Sequence, residues 1–128
     1  MRRLLLAEDG PTAMDLAGGL FDDPAIALDV VTDGRSALDR VNAAVGAYDL
    51  VVLNYDLPEI SGPECIAFLR GMYRRLPILV LSDTDDAERL SDLARLGIRR
   101  SHILRKPTRP EAFAAWVRNA LLGLPTRR

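Results

Sequence analysis

Four short clusters in this 128-residue chain carry groups able to act together chemically. They are Glu8 and Asp9, then Asn54, Tyr55 and Asp56, then Ser82 and Asp83, and last Arg105, Lys106 and Pro107. Carboxylates and carbonyl oxygens are the ligands that a hard cation such as Mg2+ prefers, with several waters retained. A bare pair such as Glu8 and Asp9 repels phosphate unless a cation bridges them. An ammonium such as Lys106 neutralises an anion, and a hydroxyl such as Ser82 hydrogen-bonds its oxygens. Each cluster alone is a weak signal, because strands often end in polar residues. Together they outline an acidic pocket with a lysine and a hydroxyl at its rim. Two common nucleotide sites are excluded by pattern: no G-x-G-x-x-G follows the first apolar run, and no G-x-x-x-x-G-K-[ST] occurs anywhere.

Something must bring these clusters to one place, and the apolar pattern supplies it. Runs at residues 4–7, 50–53 and 78–81 have the length of buried strands in a parallel sheet. A run at residues 27–31 is interrupted by Asp29, as an edge strand tolerates, and one at residues 102–104 is short. Helical patterns lie between. Met14, Ala17, Leu20 and Phe21 mark the first, and Ala37, Leu38, Val41 and Val45 the second. Ile66, Leu69, Tyr73 and Leu76 mark the third, and Ala87, Leu90, Leu93 and Ala94 the fourth. Phe113, Trp116, Val117, Ala120, Leu121 and Leu124 form a continuous fifth stripe, which assigns Trp116 to the core. Punctuation agrees: Asp33-Gly34 precedes the second helix, Gly62-Pro63 opens the third, and Pro110 starts the fifth. Pro77 and Gly97 follow the third and fourth helices. A strand–helix unit repeated five times implies a mostly parallel sheet with helices on both faces and right-handed crossovers. The functional crevice of such a sheet lies outside the carboxyl ends of the strands, where the four clusters fall.

Composition sets further bounds. The chain is long enough for one domain, residues 1–128, with a core of its own. A formal net charge of −1 gives no overall pull toward nucleic acid or an anionic membrane. Arginine doublets at residues 2–3, 74–75, 99–100 and 127–128 are scattered and lack the interleaved aromatics of a base-stacking surface, so direct nucleic-acid binding is not expected. The apolar run near the start ends at Glu8, too short for a membrane span. Cys65, the single cysteine, excludes an internal disulfide and falls on an apolar helical pattern, so a buried thiol and a reducing, cytoplasmic setting are expected.

On these residues the chain resembles the receiver domain of bacterial two-component response regulators. The likeness is carried by Glu8 and Asp9, by Asp49-Leu-Val-Val-Leu-Asn54-Tyr-Asp-Leu-Pro58 with Gly62, by Ser82, and by Lys106-Pro107. It covers nearly the whole chain. The resemblance implies a doubly wound, flavodoxin-like (βα)5 sandwich with a five-stranded parallel sheet in the order 2-1-3-4-5. It further implies that Glu8 and Asp9 bind Mg2+, that Asp56 completes the metal site through its carbonyl, and that Ser82 and Lys106 meet a phosphoryl group. Asn54 stands where the family has the aspartate that takes that group from a histidine kinase or a phosphotransfer protein. A register shifted by two, with Asp56 as the acceptor, is rejected. The family places proline four residues and glycine eight residues beyond its acceptor, and Pro58 and Gly62 satisfy both from Asn54.

Asn54 alters the expected chemistry. A carboxylate attacks a phosphohistidine and forms an acyl phosphate; a neutral amide does not. The amide oxygen still ligates a metal, but with one negative charge fewer, so a Mg2+ site here would be weakened. Other positions also depart from the family. Ile103 replaces the aromatic switch residue three before the lysine, Asp83 replaces a small residue, and Thr108 replaces a bulky apolar one. His102 reads as a surface or strand-end residue. Two explanations of Asn54 stand: a natural pseudo-receiver that signals without phosphorylation, or an engineered Asp-to-Asn form of a working receiver. A third reading, a small Mg2+-dependent phosphatase acting through Asp56, borrows the Asp-x-Asp logic of haloacid-dehalogenase-like enzymes. It lacks their cap and the motif's usual place after the first strand. The resemblance places the partner or homodimer face on the fourth helix, fifth strand and fifth helix, which would present Arg89, Asp92, Arg95, Arg99, Arg100 and Arg118.

Overall fold

A computed structural model describes residues 1–124. Arg127 and Arg128, the last arginine doublet, lie outside the described residues. The elements alternate throughout. In chain order they are β1 (Arg2–Ala7), α1 (Gly10–Phe21), β2 (Ile26–Val31), α2 (Gly34–Ala43), β3 (Leu50–Asn54), α3 (Gly62–Met72), β4 (Ile78–Ser82), α4 (Ala87–Arg95), β5 (Ile103–Arg105) and α5 (Pro110–Leu122). A short 3-10 turn, Arg100–His102, precedes β5. All pairings are parallel and the strand order is β2-β1-β3-β4-β5. This is the doubly wound, flavodoxin-like arrangement, and Asp29 does lie on an edge strand.

Every residue of β3 and β4 is buried, as continuous apolar runs in the middle of a sheet require. The two faces carry separate cores. One joins Leu5, Val51, Leu53 and Val80 to Ala37, Val41, Ile66, Leu69 and Leu93 of α2, α3 and α4. The other joins Leu4, Leu6, Val52 and Leu81 to Leu16, Leu20, Phe113 and Val117 of α1 and α5. Caps define several helix starts: Asp33 accepts from the Ser36 N–H, Ser61 from Glu64 and Asp86 from Arg89.

Several expected core positions are displaced. Met14, Phe21 and Val45 are exposed, and α1 instead buries Ala13, Leu16, Ala17 and Leu20. Helices α2 and α3 stop before Val45, Tyr73 and Leu76, where the chain turns into the next strand. Trp116 is only half-buried; it packs against Phe113 with ring centroids 6.1 Å apart and donates Nε1–H to the Ser101 carbonyl at 3.1 Å. Ala87 is exposed, and α4 buries Leu93 alone. Cys65 is buried as expected, and burial pushes its thiol up to about 11. Among the described residues no helix is long and apolar enough to cross a membrane.

Candidate functional site

The carboxyl ends of β1, β3, β4 and β5 converge, and each of the four clusters arrives there on a strand end. The sheet register fixes the convergence: Ala7 lies beside Leu53, Asn54 beside Leu81, and Ser82 beside Arg105. Asn54 closes β3 and is 2 % exposed, so the strand's apolar run holds an amide inside the protein. Gly62 then has a structural reason. Its N–H donates to the Tyr55 carbonyl at 3.0 Å, and a Cβ there would lie 2.5 Å from the Asn54 carbonyl oxygen. Only glycine lets α3 begin so close to the end of β3. Pro58 belongs to the same folded loop, where its carbonyl accepts the Gly34 N–H at 3.1 Å.

Glu8 is the centre of an inner layer. It is fully buried, and both carboxylate oxygens are engaged. Oε1 accepts from Asn54 Nδ2 at 2.8 Å and from the Asp9 N–H at 3.1 Å, while Oε2 accepts from Lys106 Nζ at 3.0 Å. This contact fixes the orientation of the Asn54 amide, since a flipped side chain would set its oxygen against a carboxylate. The amide's own oxygen accepts from the Asp56 N–H, and Nδ2 also reaches the Asp56 carbonyl, each at 3.3 Å. Burial raises the Glu8 pKa above its ordinary value, and the hydrogen bond and charge of Lys106 oppose that shift. Lys106 is the only lysine in a chain with sixteen arginines. A compact ammonium suits this confined contact with one carboxylate oxygen better than a planar fork. The Lys106-Pro107 peptide is cis.

An outer layer lies above it and contains a residue expected instead on the partner face. Arg89, in the first turn of α4, turns into the site. Its guanidinium grips the Asp56 carboxylate with two bonds, Nη1 to Oδ2 at 2.9 Å and Nη2 to Oδ1 at 3.0 Å. Nη1 also reaches Ser82 Oγ at 3.1 Å and Asp83 Oδ1 at 3.3 Å. The guanidinium carbon sits 4.1 Å from the centre of the Tyr55 ring, stacked over its face. Ser82 donates its own proton to the Thr84 carbonyl at 2.6 Å. A cleft of about 560 Å3 adjoins this layer, lined by Thr12, Asp15, Asp83, Lys106 and Thr108 among others.

The other expected residues are placed as follows. Ile103 lies beside Val80 in the register and packs on the core under α2, α3 and α4. His102 is half-buried in the turn before β5. Two members of the expected partner face have partners elsewhere in the chain. Arg89 turns into the pocket, and Arg118, itself exposed, reaches across to the Gly19 carbonyl of α1 at 3.0 Å and to Asp23 in the loop after it at 3.0 Å. Arg95 and Arg99 remain exposed, Arg95 paired with Asp92 at 3.2 Å, and Arg100 pairs with Asp85 at 3.4 Å. Nothing in local spacing reveals the turn of Arg89, because Asp56 lies 33 residues away.

The family implies Mg2+ in this pocket, and the residues present do not fit it. Both Glu8 oxygens already accept N–H donors, Asn54 turns its N–H rather than its oxygen toward Glu8, and the Asp56 carbonyl accepts from the same Nδ2 at 3.3 Å, which leaves the exposed Asp9 carboxylate as the expected ligand open to solvent. Among the described residues no three of His, Cys, Asp and Glu form a group that could hold a metal ion.

The comparisons agree with the fold. The family model for the response regulator receiver domain matches residues 4–118, and the chain belongs to that family. It is 38 % identical over 80 residues to the transcriptional regulatory protein TcrA of Mycobacterium tuberculosis, covering 62 % of this chain and 31 % of that protein. It is 37 % identical over 84 residues to CutR of Streptomyces coelicolor, covering 66 % and 38 %. The chain thus spans well under half the length of these relatives. A receiver domain protein from Clostridium thermocellum superposes with a TM-score of 0.81 at 16 % identity, covering 95 % of each chain. The chemotaxis response regulator CheY4 of Vibrio cholerae superposes at 0.78 with 23 % identity, covering 93 % of this chain and 98 % of that one.

Proposed function

We propose that this receiver domain acts as a protein-interaction module that does not take a phosphoryl group at residue 54. One observation carries the reading: the side chain at the acceptor position is a buried amide whose N–H is already donated to Glu8. Acceptance of phosphate would need a carboxylate oxygen to attack phosphorus while the P–N bond to histidine breaks. An amide in this setting offers no such oxygen. Signalling then depends on which surface is presented. Arg95, Arg99 and Arg100, with Asp92, form the remaining exposed basic group beside β5. They suit contact with a histidine kinase, a phosphotransfer protein, another signalling protein or a second copy of the chain.

The test is incubation of the native chain and Asn54→Asp with a small phosphodonor and Mg2+, read by intact mass. The native chain should keep its mass. Gain of one phosphoryl group mapping to Asn54 would overturn the reading, and labelling of Asp56 or steady consumption of the donor would favour a phosphatase using Asp56. Stable phosphorylation of Asn54→Asp would identify Asn54 as a single change in an otherwise working receiver. Charge reversal of Arg95 and Arg99 to glutamate should weaken pull-down of a partner or self-association by at least about tenfold, equivalent to about 1.4 kcal/mol. Unchanged association would remove that face.

A further inference from the structure

The misfit for Mg2+ has a counterpart in the outer layer, where a cation is already present. Arg89 touches three acidic or hydroxyl side chains contributed by two strand ends: Asp56 after β3, and Ser82 and Asp83 at the end of β4. Its two-pronged grip on Asp56 matches the planar geometry of a carboxylate, and the Tyr55 ring covers its face. Below it, Lys106 and the Asn54 amide each donate one bond to opposite oxygens of Glu8. Each layer of the cluster therefore holds one internal cation, Lys106 on Glu8 and Arg89 on Asp56 and Asp83, which offsets part of its negative charge. Arg89 belongs to α4, a helix with one buried side chain, so this contact also ties α4 to the loop after β3.

We propose that Arg89 is the resident counter-cation of the acidic mouth, excluding a divalent ion and fixing α4 against Asp56. A guanidinium tethered to the Asp56 carboxylate and beside Asp83 places a fixed positive charge at the mouth, which opposes entry of a divalent ion. The consequence is a helix whose place is set by an internal ion pair rather than by an added ligand. The face beside β5 is then biased toward one arrangement without an added ligand. The inference stands apart from the chemistry of residue 54, since none of Arg89's partners is Asn54.

The experiment is a titration of the native chain, Arg89→Met and Asp56→Asn with Mg2+. Backbone amide resonances of residues 8, 9 and 54–56 report binding, and Mn2+ broadening of the same resonances gives a second readout. Arg89→Met should bind Mg2+ at least about tenfold more tightly than the native chain. Equal affinity in the two chains, whether both bind or neither does, overturns the exclusion. Hydrogen exchange tests the tether: amides of Leu90 to Arg95 should exchange at least about tenfold faster in both variants, with α5 unchanged. Asp56→Asn keeps the shape and removes the charge, so it answers even where Arg89→Met perturbs folding. Native-like protection of α4 in Asp56→Asn overturns the tether.

Discussion

The two helices beside β5 are seated by different forces. Helix α5 buries Phe113, Ala114, Val117 and Leu121 against β1, β3 and β4, and Arg118 crosses to α1 as well. Helix α4 buries Leu93 alone, with Leu96 partly buried just beyond its end, and depends on Arg89 for its link to the site. Apolar burial is non-directional and resists displacement over its whole area, whereas an exposed ion pair is weak and screened by salt. The contrast identifies α5 as part of the scaffold and α4 as the element that can move at small cost. The guanidinium is the polar contact that links α4 to the loop after β3.

This contrast can be broken by mutation. Phe113→Ala should produce the largest effect, a loss of about 3–5 kcal/mol in urea unfolding, because a fully buried ring leaves a cavity. A loss below about 1 kcal/mol, the range of an exposed ion pair, would show that α5 is seated no better than α4. A helix on the opposite side of the sheet from α5 gives a calibrating case. Asp33→Ala removes the cap of α2 and should cost about 1 kcal/mol at neutral pH. The Ser36 N–H holds the Asp33 pKa below its ordinary 3.8. The carboxylate's contribution is therefore present above that value and lost as pH falls through the lower folded value. The native and variant curves should converge in strong acid, and a constant gap would show that the charge is immaterial. Arg89→Met should have the smallest global effect, under about 1 kcal/mol and shrinking further at high salt. A global loss of more than about 2 kcal/mol would make Arg89 part of the scaffold and abolish the distinction between the helices.

Much of this arrangement is legible in the chain itself. The runs at residues 50–53 and 78–81 match β3 and β4 to within a residue, because a strand buried on both faces leaves no polar position to blur it. Helix faces were less legible. Met14 and Phe21 fit a helical period, yet they point away from the core, since an isolated apolar residue does not say which neighbour will cover it. The spacing of Asn54, Pro58 and Gly62 was readable as a pattern, and the structure shows its cause in the close approach of Gly62 to the end of β3.

Local order along the chain therefore determined the strand-end clusters, the alternation of elements and the amide at residue 54, because these follow from residue type and periodicity. Tertiary structure alone decided the partners of those groups. Glu8 meets Lys106 across 98 residues, and Arg89 meets Asp56 across 33. Arg89 looked like one more surface arginine until the β4–α4 connection brought the first turn of α4 over Asp56. Which carboxylate a long, flexible cation reaches depends on that crossing of strand and helix, and no short-range pattern encodes it.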